Sequence, residues 1–255
     1  MGKYFTVEVT PTITASRQAA NSSVYSAGDI LFDWTSFQMP RGAARLIGLT
    51  AVMRGKNGAA QTISDLDFYF AKTVDGVAPA TIGTINGSGT AAPIVSNHLI
   101  GMTRIDDGAG YGESGLDYFT IAKSGGGANV SESPDICVLE GETDAGSSTL
   151  YISCITGTGT DFGTTVLARG GEAAGVLVVE TDKGADDDPN ADLIFAVGDT
   201  LHSATDDVLG KVASIAAFGS SKQDITFAAV TEDVIADNEE IFNINPIRLI
   251  LSFEK

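Results

Sequence analysis

Two segments far apart in this chain set a Gly-Asp pair directly ahead of an apolar run. One is Tyr25-Ser26-Ala27-Gly28-Asp29-Ile30. The other is Ala196-Val197-Gly198-Asp199-Thr200-Leu201, followed by Leu209-Gly210-Lys211-Val212-Ala213-Ser214-Ile215 and Asp224-Ile225-Thr226-Phe227. Glycine reaches backbone angles that other residues avoid, and aspartate bonds to nearby amides. The pair therefore writes a turn that ends as a strand begins. The second segment goes on as strand, short polar loop, strand, turn and strand, which is how a small β-barrel or β-roll is written. The two segments read as similar turns rather than copies, and no exact internal repeat stands out.

The rest of the chain has the same grain. Residues 4–14 alternate, with Phe5, Val7 and Val9 on one face and Thr6, Glu8 and Thr10 on the other, as a half-buried strand requires. Ile30, Phe32 and Trp34 make one apolar face of a second strand, which Pro40-Arg41-Gly42 ends. Residues 44–53 read as a third strand, buried on both faces for much of its length. Residues 63–70 give a fourth, with Leu66, Phe68 and Phe70 inward and Asp65, Asp67 and Tyr69 outward. Residues 74–128 are rich in Gly, Ala and Ser and predict long loops, with short strands near 94–105 and 117–122. Such excursions commonly carry contacts to other molecules. Strands resume at 136–140, 149–155, 164–169 and 176–180. Residues 238–244 read as a turn or one short helical piece. Residues 246–253 make a last strand that returns to the first sheet.

No amphipathic helix of three or more turns is present in the pattern. The chain is therefore expected to be all-β: a β-sandwich or jelly-roll-like main domain (residues 1–174 plus 237–255) with a small inserted β-barrel domain (175–236).

Charge narrows the partners. Lys and Arg number 15 against 33 Asp and Glu, a formal net charge of −18. Such a surface repels phosphate backbones and anionic lipid, so neither a nucleic acid nor a membrane is expected as partner. No apolar run approaches the ~20 residues of a membrane helix. The start, Met1-Gly2-Lys3-Tyr4-Phe5-Thr6, has no signal-peptide character; it fits a myristoylation pattern, but a strand begins at once. The two cysteines, Cys137 and Cys154, lie in apolar strand-like runs and read as buried thiols, with a cross-strand disulfide left open.

Chemistry is hard to find. The two histidines, His98 and His202, have no neighbouring ligands at metal spacing, and no Gly-x-Ser-x-Gly elbow accompanies them. The run Asp186-Asp187-Asp188-Pro189-Asn190-Ala191-Asp192 offers oxygens to a cation but lacks the spacing, glycine and closing glutamate of a calcium loop; it reads as a solvated loop. No catalytic residue, cofactor or metal is expected. Interface candidates are clearer. Arg41, Arg45 and Arg54, with Lys56, gather around one strand and its turns and would suit an acidic region of a neighbouring copy. Phe37 and Met39, beside Pro40, are the expected apolar anchors, while Trp34 reads as core.

Three stretches resemble structural proteins of tailed-phage virions, above all those that decorate or cement capsids. They are Ser26-Ala27-Gly28-Asp29 leading to Ala43-Ala44-Arg45-Leu46-Ile47-Gly48, Val197-Gly198-Asp199 leading to Leu209-Gly210-Lys211-Val212, and Ala236-Asp237-Asn238-Glu239-Glu240-Ile241-Phe242 with Asn245-Pro246-Ile247. The resemblance implies a non-enzymatic component of the virion's capsid surface, a homotrimer clamping major capsid protein subunits. It brings no catalytic residues. The alternative is a receptor- or glycan-binding appendage of a tail or fibre, marked by exposed loop aromatics, for which Tyr111 and Tyr118 are candidates. A hydrolase ranks last.

Overall fold

The computed structural model describes residues 2–18, 25–54, 65–105, 113–116, 119–124, 137–142, 148–157, 160–162, 166–182, 190–217 and 222–255. The protein is all-β, as expected, and its strands form three antiparallel sheets.

Two sheets make the sandwich. The first contains β1 (Tyr4–Val9), β15 (Ile247–Glu254), β3 (Ala44–Arg54), β7 (Phe119–Lys123) and β6 (Glu113–Leu116) in that spatial order, with the short β8 (Val138–Leu139) also on β3. The second contains β2 (Ile30–Gln38), β9 (Thr149–Thr156), β4 (Leu66–Lys72) and β5 (Leu99–Ile105). Strict alternation drives the packing. In β15, Ile247, Leu249, Leu251 and Phe253 are buried while Arg248, Ile250, Ser252 and Glu254 face out. They meet Phe32, Phe37, Phe68, Phe70, Leu150 and Ile152 of the opposite sheet in one continuous core. Each such side chain, fully buried, contributes about 1.5–3 kcal/mol before entropy is counted. The last strand does return to the first sheet, between β1 and β3.

Three expectations need correction. Strand β3 is buried on one face, not two: Arg45, Ile47, Thr50 and Val52 point away from the core and are exposed or half-buried. Among the described residues no layer covers that face. In β2, two register irregularities against β9, between Ile30 and Phe32 and between Phe32 and Thr35, break the simple alternation. A bulge shifts which face each later residue occupies. Phe37 therefore faces the sandwich core, and Trp34 joins a separate outer cluster. That cluster is the third correction. Residues 73–98, from the stretch read as contact-bearing loops, fold back over the second sheet. Ile82 and Val95 bury against Ile30, with Trp34, Ile85 and Ile155 around them. The Trp34 indole N–H donates to the Ala80 carbonyl at 2.9 Å. Gly83 makes this possible: its φ is +143°, and a Cβ there would stand 2.7 Å from the Ile30 Cδ1.

The third sheet builds the second unit from β10 (Val178–Asp182), β13 (Lys222–Phe227), β12 (Val208–Ile215), β11 (Thr200–Ser203) and β14 (Ile241–Asn243). Its two edge strands both bond to one short segment: Ala168 bridges to Thr181 in β10, and Leu167 to Glu240 just before β14. The sheet is thereby curled around a core that includes Val179, Phe195, Leu201, Leu209, Ile225 and Phe227. Val166, Ala168 and Ile241 belong to that core, which reaches beyond residues 175–236 on both sides.

The units are joined by more than chain connectivity. The Ile13 amide donates to the Ile244 carbonyl at 2.8 Å. Gln18, buried at the end of α1 (Ala15–Gln18), donates from Nε2 to the carbonyls of Ile13 (2.7 Å) and Asn243 (2.8 Å).

Candidate interaction surface

The Gly-Asp turns are built alike, and a third copy stands at Ala236-Asp237-Asn238-Glu239. In each, the acidic side chain reaches back to the amide three residues earlier: Asp29 to Ser26 (2.7 Å), Asp199 to Ala196 (2.8 Å) and Glu239 to Ala236 (2.8 Å). In each, the residue before the acid has positive φ, 88° at Gly28, 96° at Gly198 and 60° at Asn238. Each also exchanges two backbone bonds with a single partner residue. Gly28 N–H and Asp29 C=O bond to Thr156, Gly198 and Asp199 to Val212, and Asn238 and Glu239 to Ala168. A buried side chain precedes every turn (Tyr25, Phe195, Ile235) and another follows it (Leu31, Leu201, Ile241). So the segments are structural copies, and residues 236–239 are a turn into β14 rather than a helical piece.

The second turn does something the others do not. Asp199 also accepts from the Arg54 guanidinium, Nη2 lying 2.8 and 3.0 Å from its two oxygens. Arg54 ends β3 in the sandwich; Asp199 stands in the turn just ahead of β11, in the second unit. With side-chain exposures of 35% and 14%, the pair is partly shielded from water. A charge-assisted contact of this kind contributes about 1.5–3 kcal/mol.

The outer face of the first sheet runs up to this tie. Registers across it set side chains in rows. Tyr4, Glu254, Arg45 and Val138 stand side by side, as do Glu8, Ile250, Thr50 and Lys123, and then Arg248, Val52 and Ile121. Tyr4 donates to Glu254 at 3.0 Å, and that bond, more than the carboxylate's charge, raises the phenol pKa above its ordinary value. Where this face meets the barrel there is a cleft of about 590 Å³ lined by Glu8, Thr10, Val52, Arg54, Arg248 and the turn Val197-Gly198-Asp199. Val197, at the turn's tip, is 69% exposed.

The expected site residues scatter. Phe37 and Met39 are both 5% exposed and belong to the sandwich core, so neither is an interface anchor. Arg41 and Arg45 are exposed at one end of the first sheet. Arg54 is at the far end of β3, about 30 Å away at the usual ~3.4 Å per residue, and is held by Asp199 within the same chain. The structure thus separates a cluster that the sequence places around one strand. Arg248 and Lys123 were missed. Their signal was period-two alternation: each is an outward position on a strand of the face that carries Arg45.

Both histidine rings bond to backbone: Nδ1 of His98 lies 2.9 Å from the Lys72 carbonyl, and Nδ1 of His202 lies 3.1 Å from that of Asp206. Among the described residues no three or more ligating side chains gather where a metal ion would fit. Residues 186–189 of the acidic run, Tyr111, Tyr118 and Lys56 lie outside the described residues. Cys137 and Cys154 are not joined by a disulfide; Cys154 is buried as expected and burial pushes its pKa up, whereas Cys137 is only half-buried. Among the described residues no helix is long and apolar enough to cross a membrane. Compared with protein-family models and with curated protein sequences, the chain matches none.

Proposed function

We propose that this protein is a non-enzymatic structural component that self-associates and decorates or cements the surface of a phage capsid. The observation that carries the self-associating part is the outer face of the first sheet. In a chain of net charge −18, Lys3, Arg41, Arg45, Lys123, Arg248 and Lys255 fall on this face or its rim. Between them run Ile47, Val52, Ile121 and Ile250, apolar and only partly covered. A basic, partly apolar sheet face suits the acidic surface of a neighbouring copy or of a capsid subunit. The capsid assignment rests on the resemblance of the three turn-and-strand stretches. A cyclic trimer would set this face of each copy against a different, acidic patch of the next.

The test is mass photometry of the purified protein across a dilution series, followed by sedimentation with capsids. The expected result is an oligomer that weakens with salt and pellets with capsids. A monomer at every concentration that stays in the supernatant overturns the proposal.

One observation favours the rival reading of a glycan-binding appendage. Tyr69 and Tyr151 are diagonal neighbours on β4 and β9, both outward and half-buried, with Met102 and the Asp67–Arg104 pair alongside. Saturable binding on a glycan array that Tyr69→Ala and Tyr151→Ala both remove would favour it.

A further inference from the structure

We infer that β1 is a strand-pairing edge, and that a second copy of this chain adds its own β1 to it, antiparallel, about a two-fold axis at Thr6. This contact is made by backbone and goes beyond the charged-face contact proposed above, on which it does not rest.

The ladder fixes which groups are free. Lys3 and Lys255 exchange both backbone bonds at 2.9 Å, and the register runs from there to Val9 opposite Leu249 without a shift. Residues of an antiparallel pair alternate between hydrogen-bonded and non-bonded positions. Phe5, Val7 and Val9 therefore bond to β15, and the N–H and C=O groups of Tyr4, Thr6 and Glu8 point the other way. β1 is the outermost strand of its sheet. Among the described residues no backbone group bonds to that side of it. Proteins close such edges with a proline or a bulge, and β1 contains neither. The inner face is open along the same line. Phe5 stacks on Phe253 with centroids 5.2 Å apart, and Val7 packs against the core, yet both are only half-buried. On the neighbouring β15, Leu249, Leu251 and Phe253 are fully buried.

The occupant follows from hydrogen bonding and charge. A free edge binds another strand edge, because each N–H needs a C=O, and each C=O an N–H, at the same spacing. With Thr6 opposite Thr6 of the second copy, Tyr4 stands opposite its Glu8, and Glu8 opposite its Tyr4. All three are hydrogen-bonded positions, so every free group of either strand meets its complement. On the outer face this register sets a hydroxyl beside a carboxylate, and no two like charges meet, which matters in a chain of net charge −18. On the inner face Phe5 meets Val7 of the second copy, and each half-buried residue gains apolar cover. A parallel pairing in register would instead align Glu8 with Glu8 and Lys3 with Lys3. The antiparallel contact uses the same strand in both partners and closes at two copies.

The test is substitution at Thr6, read by analytical ultracentrifugation with thermal melts as the folding control. Thr6→Pro removes an N–H that points away from β15, so the ladder of the folded chain keeps its bonds; pairing between copies is expected to weaken about tenfold or more. Thr6→Lys and Thr6→Glu place a charge opposite itself across the axis, and each alone is expected to weaken pairing about fivefold. An equal mixture of the two is expected to regain it, since only a two-fold contact at this residue sets lysine against glutamate. Pairing of the wild type should persist in about 0.5 M salt, where contacts between exposed charges are screened. A wild type that is monomeric throughout overturns this contact and the self-association proposed above together. An oligomer that the folded Thr6 variants leave unchanged overturns this contact alone and leaves the charged face standing, as does one that dissociates in salt. Two folded, weakened charge variants whose mixture does not recover overturn the two-fold register. Should Thr6→Pro fail to fold, the lysine and glutamate variants decide.

Discussion

The turn ending at Asp29 and the turn ending at Asp199 share their backbone bonds and differ in what their carboxylates reach. Asp29 caps one amide of its own turn. Asp199 caps the equivalent amide and also takes Arg54, which lies 145 residues earlier in the chain. The first carboxylate is local furniture; the second joins two cores. The same short sequence device thus serves as a strand starter wherever it occurs, and becomes a joint only where topology brings a cation to it.

The sharpest way to break the comparison is to remove each carboxylate. Asp199→Ala leaves the Ala196 amide without its acceptor and Arg54 without its partner. The expected cost is about 2–4 kcal/mol in urea unfolding. Asp29→Ala removes one hydrogen bond at an exposed turn and should cost about 1 kcal/mol. Equal costs would mean that the Arg54 contact adds nothing. Arg54→Ala in the Asp199→Ala background should then cost little more, since the interaction is already gone.

Replacing the glycines tests whether the two turns are the same object. Gly28 and Gly198 both hold positive φ, and a Cβ at either would have room: nothing lies within 4 Å at Gly28, and the closest atom at Gly198 is Lys211 Cε at 3.9 Å. The cost of Gly→Ala is then conformational alone, about 1–2 kcal/mol, and should be alike at the two sites. Gly→Asn should cost less than Gly→Ala at both, because Asn238 occupies the equivalent position of the third turn at φ 60°. Chemical denaturation of the four variants checks this. A large difference between sites would show that one turn carries strain that the other lacks.

These turns also mark how far the sequence could be read. Gly28-Asp29 and Gly198-Asp199 announced strands correctly because the device is local: a left-handed residue, then an acid that bonds three residues back. The third copy was hidden because Asn and Glu replace Gly and Asp, so no residue pair repeats. Alternation in β15 and in Leu66, Phe68 and Phe70 was legible for the same local reason. Phe37 was not, because irregular registers in β2 turn its face, and a bulge leaves no fixed mark in composition. Residues 73–98 looked like free loop because their apolar residues are sparse; Ile82 and Val95 find Ile30 only through the fold. The Arg54–Asp199 joint is non-local and could not be read from either segment. Of the surface now proposed to carry contacts, Arg41 and Arg45 were visible in sequence. Alternation marks Arg248 and Lys123 as outward, but that they share a face with Arg45 follows only from the registers that place four strands side by side.

The smallest expected effect concerns the residues just ahead of the turns. Tyr25 and Phe195 occupy equivalent buried positions, but Tyr25 carries a hydroxyl that has no hydrogen-bond partner among the described residues. Phenylalanine and isoleucine in the matching positions show that the site needs a buried apolar side chain and not the oxygen; Tyr25 packs edge-on against Phe162 with centroids 6.1 Å apart. Tyr25→Phe should therefore stabilise the protein at neutral pH by about 1 kcal/mol, by removing a buried, unsatisfied polar group. The pH dependence gives a second reading of the same site. Burial, assisted by the charge of Asp29, raises the Tyr25 pKa well above its ordinary value. The unfolded chain then releases this proton near pH 10 while the folded protein keeps it. The stability associated with the neutral phenol is full below pH 10 and falls as pH rises above it. Unfolding curves between pH 9 and pH 11 should thus slope less steeply for Tyr25→Phe than for the wild type. Identical slopes would mean that Tyr25 is hydrated or bonded in solution, and the two turns would then differ in their cores as well as in their carboxylates.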